Sequence, residues 1–178
     1  MKNIAAKLSA LGLSAAMVVA GVFIAPHENN TTDPAKLAVH ADPIGIPTAC
    51  YGSVKPGMVV GQQNTEDECA EMFAADLQEH DRQLRQAVKV ELSEPEYVAY
   101  LSFHYNVGAA NFRSSTLLKH LNAGKRIDAC IELTHACSEK RGTCKGWIYA
   151  GDEPWPGLIT RRADERDLCL KGALTYEN

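Results

Sequence analysis

Between Lys7 and His27 the chain carries no charged side chain; residues 8–26 read LSALGLSAAMVVAGVFIAP. As one helix this stretch is about 28 Å long at ~1.5 Å per residue, close to the thickness of a hydrocarbon core. Lys2 and Lys7 precede it, which keeps the amino terminus cytoplasmic and exports the rest of the chain. Yet the run is weakly apolar, because Ser9, Gly12, Ser14, Gly21 and several alanines contribute little transfer energy. Three fates compete for it. A cleaved signal peptide needs small residues in an A-x-A-like pattern just past the apolar core. Phe23 and Pro26 spoil cleavage after Ala25, and Val39-His40-Ala41 lies too far downstream. A permanent anchor is marginal on the same composition. The third fate is a segment that inserts, stalls and later leaves the membrane.

The remainder reads as one exported globular domain. The length of 178 residues suits a single domain, and 46% hydrophobic with 22% charged residues excludes a disordered or collagen-like chain. Setting Lys2 and Lys7 aside from 18 basic and 22 acidic residues leaves a body of net −6. Such a body lacks the concentrated basic face that nucleic acid requires, so no nucleic-acid partner is expected. The cysteines Cys50, Cys69, Cys130, Cys137, Cys144 and Cys169 are even in number, as in an oxidising compartment. A metal site is the competing reading, but His135, Cys137 and Cys144 form the only tight grouping and no second ligand pair accompanies them. No metal and no cofactor are expected, and the spacings leave the disulfide pairing open.

Asp42 to Gly61 is rich in Gly, Pro and β-branched residues, which predicts short strands and turns. Thr65 and Glu68 are spaced as a capping box, and Cys69, Met72, Phe73, Leu77, Leu84 and Val88 continue at helical spacing. Ser93, Pro95 and Glu96 mark a second start, leading into the apolar YVAYLSFHYNV and a carboxyl cap at Gly108. Ser114-Ser115 opens a further helix ended by Gly124; Ile127 to Leu133 and Ile159 to Leu170 are the last two. The polar stretch between them, with Cys137 and Cys144, reads as a surface loop. The expected class is α+β: a mostly helical domain with a small antiparallel sheet, preceded by a weak transmembrane helix. The expected division is 1–26 for the membrane segment and 27–178 for the domain.

No phosphate loop, GxSxG, HExxH or CxxC occurs. The remaining chemistry is carboxylates beside a glycine-rich turn: Glu28, Asp33 and Asp42, with Thr48 close behind. Acetal hydrolysis needs two such groups, one protonated to release the leaving oxygen and one ionised to activate water. On spacing alone, acidic residues near a turn read equally as solvated surface.

The segment DPIGIPTACYG, Asp42 to Gly52, resembles the D-x-x-G-x-x-T-x-x-x-G turn of phage-type lysozymes, a muramidase family. SFHYNVGAANFRSSTLLKHLNAG (Ser102 to Gly124) and WIYAGDEPWPGLITRRADERDLCL (Trp147 to Leu170) extend the resemblance over nearly all of the chain from His27. The whole is similar to the exported phage endolysins whose weak amino-terminal helix is a signal-arrest-release segment. That resemblance favours the third fate of residues 8–26.

It implies a lysozyme-like fold and hydrolysis of the β-1,4 bond between N-acetylmuramic acid and N-acetylglucosamine in bacterial peptidoglycan, causing host cell lysis. In the family a Glu is the general acid, an Asp positions the water and a Thr supports it. Asp42 and Thr48 match directly. The acid normally lies nine positions before the aspartate, where this chain has Asp33; Phe23-Ile24-Ala25-Pro26-His27-Glu28 keeps the helical lead-in and the glutamate. Glu28 is therefore the expected acid, with about five extra residues before Asp42, and Asp33 is the alternative with a shorter arm. The family's wide carboxylate separation implies inversion. The resemblance also implies Cys50–Cys69 and Cys130–Cys169, leaving Cys137–Cys144 to close the polar loop.

Arg161 and Arg162 either approach Glu28 or pair with Asp164 and Glu165 on their own helix. Phe103, Tyr105, Asn106, Trp147 and Trp155 are expected in the core, with sugar stacking by the tryptophans as the alternative. The expected protein is a monomer, held at the host inner membrane through residues 8–26 and then released to the periplasm. While the segment is in the bilayer, Glu28 is held away from Asp42 and Thr48; release lets it repack as the first helix. The segment has no cysteine, so no thiol from it can attack a disulfide, and loss of membrane potential or spontaneous release remain as triggers. Two other classes stay open: a membrane-anchored, lysozyme-like peptidoglycan-binding module, and a lytic transglycosylase.

Overall fold

A computed structural model of the chain describes residues 4–28, 37–42, 45–135, 147–150 and 153–176. It divides into two compact units, Met1–Glu79 and His80–Asn178.

In the first unit the uncharged run forms two helices, α1 (Ile4–Ala10) and α2 (Ala15–Glu28). The break is locally encoded. Gly12 adopts φ +81°, its N–H donates to the Ser9 carbonyl, and the Leu13 N–H donates to that of Leu8. Those two bonds form a Schellman motif, which satisfies the last carbonyls of α1 and needs a left-handed residue. Ser14 then receives the Met17 N–H at 3.4 Å and starts α2. Among the described residues, no helix is long and apolar enough to cross a membrane.

The buried face of α2 comprises Met17, Ala20, Gly21, Ile24 and Ala25. Gly21 is pressed closely: a Cβ there would lie 2.5 Å from Leu8 Cδ1 and 3.0 Å from Leu77 Cδ1. Leu77 belongs to α3 (Glu66–Ala87), so the apolar run is packed on that helix. Lys7 at the end of α1 pairs with Asp67 at 2.9 Å and Glu66 at 3.1 Å, where acidic side chains also favour the positive helix start. The capping box of α3 is formed: the Thr65 N–H donates to Glu68 Oε2 at 2.7 Å and the Glu68 N–H to Thr65 Oγ1 at 3.1 Å. Strands β1 (His40–Ala41) and β2 (Pro47–Thr48) pair antiparallel, His40 opposite Thr48 and Ala41 opposite Pro47.

In the second unit α4 (Glu94–Ser114) is the central element, fully buried at Tyr100, Leu101 and Phe103. Ser93 and Glu96 form its capping box, with Pro95 in the first turn. Gly108, at φ 78° and ψ 162°, interrupts it at the expected cap. α5 (Thr116–Asn122) is capped by Ser115, and α6 (Arg126–His135) comes after Gly124 at φ +78°. A second hairpin, β3 (Tyr149–Ala150) with β4 (Glu153–Pro154), adds to the strands expected near Asp42. α7 (Pro156–Ala173) begins one turn earlier than expected, because proline suits a first helical position. α7 packs on both α4 and α6, and Gly172 lies against the start of α4. A Cβ there would meet Ser93 Oγ at 2.3 Å and the Glu96 backbone nitrogen at 2.8 Å.

A charged cluster is buried between α4 and α7. Glu165 Oε1 accepts from Ser102 Oγ at 2.6 Å, Arg162 Nη2 at 2.7 Å and Arg161 Nε at 3.1 Å. Burial pushes the Glu165 carboxyl up, while the two guanidinium groups and the serine hydroxyl pull it down. The pairing of both arginines with Glu165 matches the helix-local reading, while Asp164 is exposed. Cys50–Cys69 and Cys130–Cys169 are bonded as the resemblance implies, whereas Cys137 and Cys144 lie outside the described residues.

Candidate active site

The hairpin around Asp42 is built by that residue's own polar groups. The Asp42 N–H donates to the Ile46 carbonyl at 2.9 Å, and its Oδ1 receives the Ile46 N–H at 2.8 Å. The Gly45 N–H closes the turn on the Asp42 carbonyl at 2.9 Å with φ +86°, a conformation that suits glycine. Strand alternation puts His40 and Asp42 on one face, and Thr48 lies opposite His40. Asp42 and Thr48 are thus diagonal neighbours on the same side of the hairpin. Thr48 Oγ1 donates to the Ile46 carbonyl at 3.1 Å, which fixes the hydroxyl's orientation.

Residues 49–53 continue as a tight turn, with Ala49 bridged to Ser53 and the Gly52 N–H donating to the Ala49 carbonyl at 3.1 Å. Three successive attachments tie this turn to one face of α3. Cys50 is bonded to Cys69, Tyr51 stacks on Phe73 with centroids 4.4 Å apart, and Ser53 Oγ donates to Asp76 Oδ2. Positions 69, 73 and 76 are spaced by four and three, one stripe of a helix. Lys55 also pairs with Asp76. Sequence reasoning missed this role of Asp76; the available signal was a carboxylate interrupting the apolar stripe of Cys69, Phe73 and Leu77.

Glu28 is the last residue of α2, half-buried, and meets that turn. A Cβ on Gly52, which has φ +87°, would lie 3.4 Å from Glu28 Oε2. One compact unit therefore holds Glu28, Asp42 and Thr48, with Gly52 joining the helix end to the hairpin. Asp33 lies outside the described residues. Among the described residues, no three His, Cys, Asp or Glu side chains are gathered as a metal ion would need.

The aromatic expectations divide. Phe103 is fully buried and meets Trp147 edge-on at 5.3 Å. Tyr105 is half-buried, Asn106 is exposed, and Trp155 is 60% exposed, which corrects their assignment to the core. Residues 105 and 106 approach the helix break at Gly108, where Tyr105 lies against the His80 ring at 4.7 Å, and Trp155 stands at the junction of the two-residue β4 with the start of α7.

The phage lysozyme family profile matches residues 32–165. The chain belongs to the phage lysozyme family. The matched residues include Asp33, Asp42 and Thr48; Glu28 lies just before them. The SAR-endolysin of Bacteriophage PS119 is 38% identical over 158 residues, covering 88% of each chain. A mutant of P22 lysozyme superposes with a TM-score of 0.66 at 26% identity, covering 89% of this chain and 97% of that one. The active form of the P1 phage endolysin gives a TM-score of 0.72 at 18% identity, covering 94% and 91%. Its secreted inactive form gives 0.54 at 20% identity, covering 85% and 94%.

Proposed function

We propose that this member of the phage lysozyme family is an endolysin that hydrolyses the β-1,4 bond between N-acetylmuramic acid and N-acetylglucosamine of bacterial peptidoglycan and so lyses the host. The observation that carries the reading is the contact of the Glu28 carboxyl with the Gly52 turn, directly after the hairpin of Asp42 and Thr48. Glu28 is the general acid: it is half-buried against backbone, and it delivers its proton to the glycosidic oxygen as the bond breaks. Asp42 is the base. Its carboxylate is oriented by the Ile46 N–H, and it holds a water for attack on the opposite face of the sugar, inverting the anomeric carbon. Thr48, on the same side of the hairpin, supports that water.

Residues 1–26 are the membrane segment and 27–178 the catalytic domain, with the enzyme held at the host inner membrane before release to the periplasm as a monomer. Two observations support release as the activating step. Residues 8–26 pack within the first unit through Gly21 and Ile24, and α2 ends on Glu28, so moving this segment moves the acid. The fold is also nearer to the active than to the secreted inactive form of the P1 phage endolysin.

The test is lysis after induced export, comparing wild type with Glu28→Gln, Asp33→Asn and Asp42→Asn at matched protein levels. Loss of lysis in Glu28→Gln and Asp42→Asn, with Asp33→Asn active, is the expected result. A dead Asp33→Asn beside an active Glu28→Gln would move the acid to the shorter side chain. New reducing ends identify hydrolysis, whereas 1,6-anhydro ends would identify a transglycosylase.

A further inference from the structure

Trp155 breaks the local rules of its position. It is the N-cap of α7 and makes no side-chain capping bond, although Ser, Thr, Asp or Asn would satisfy a helix N–H there. The residue is 60% exposed, and among the described residues no ring or cation stacks on it. Its backbone, by contrast, is firmly held. Pro154 and Pro156 flank it, its N–H donates to the Ile148 carbonyl at 2.8 Å, and its carbonyl receives the Leu158 N–H at 3.0 Å. Gly157 lies under the ring edge, where a Cβ would come 3.5 Å from Trp155 Cδ1 and 3.6 Å from Nε1. The missing side chain leaves that edge uncovered. One turn on, Ile159 is 46% exposed and widens the apolar surface.

From these observations we infer that Trp155 is a sugar-stacking platform, binding a pyranose ring of the glycan strand in addition to the groups that cleave it. This rests on the peptidoglycan reading above. A rigid, exposed indole suits the apolar C–H face of a sugar, because little side-chain freedom is lost on contact and its N–H stays available to a hydroxyl or acetamido oxygen. An anionic lipid surface fits less well: the body is acidic, and exposed Glu153 stands two residues away.

The test uses the full-length released chain on purified sacculi, with Trp155→Ser and Trp155→Phe. Serine supplies the missing cap, so Trp155→Ser keeps or raises Tm while its apparent KM rises about fivefold at similar kcat. Trp155→Phe, which keeps a stacking face, returns KM to within about twofold of wild type. An unchanged KM in Trp155→Ser, with wild type active, overturns this inference and leaves the proposed function standing. Wild type that leaves sacculi intact overturns both. Trp155-dependent binding to phosphatidylglycerol vesicles with unchanged KM on sacculi overturns it in favour of a lipid contact.

Discussion

Gly52 meets two demands that no other residue type meets together. Its φ of +87° is costly for any residue with a Cβ, and its α-carbon faces Glu28 Oε2 closely enough that a Cβ would sit at 3.4 Å. Gly52→Ala should therefore cost about 1–2 kcal/mol of stability and, by displacing the turn from the carboxyl, lower kcat at least about tenfold. Thermal unfolding beside sacculus hydrolysis at a temperature where the variant is folded separates the two effects. The turn itself was legible, since Asp42, Gly45, Thr48 and Gly52 have the spacing of the family pattern. Its contact with Glu28 was not, because no local signal links the end of a helix to a turn so far along the chain.

Helix starts were the most readable elements. Thr65 with Glu68 and Ser93 with Glu96 each make the reciprocal bonds their spacing implies, because a capping box is completed within four residues. The apolar run was read for hydropathy, and the same residues that weaken it, Gly12 and Ser14, are the stop and start that split it. Strands β3 and β4, two residues each, carry no periodicity to detect. The packing of α7 on α4 is set by Gly172, whose Cβ would meet Ser93 Oγ at 2.3 Å. Gly172→Ala should destabilise the protein by about 1–3 kcal/mol through forced separation of the two helices, read as a lower urea midpoint with unchanged m. An unaltered midpoint would mean that Ser93 rotates away at no cost.

On the proposed function, residues 8–26 occupy two environments at the scale of the whole molecule, and Gly21 bears on both. In a bilayer the missing side chain reduces the energy holding the segment there; on the domain it lets α2 approach Leu8 and Leu77. Gly21→Leu acts in one direction on both sides, favouring the membrane and crowding the packed form. It should leave most of the protein in the membrane fraction and delay lysis, measured by fractionation and culture turbidity after induction. Normal timing with normal fractionation would show that the segment's exit does not limit lysis.

The sequence by itself determined the capped starts of α3 and α4 and the Asp42–Thr48 hairpin, because each depends on groups a few residues apart. The family pattern extended this to the Cys50–Cys69 and Cys130–Cys169 pairs. Only the tertiary structure decided that the uncharged run packs on the first unit, that Glu28 meets Gly52, that Asp76 anchors the turn, and that Trp155 stands in solvent. These depend on which surfaces meet after collapse. Two glycines or two tryptophans that look alike in a sequence differ only in what the rest of the fold brings beside them.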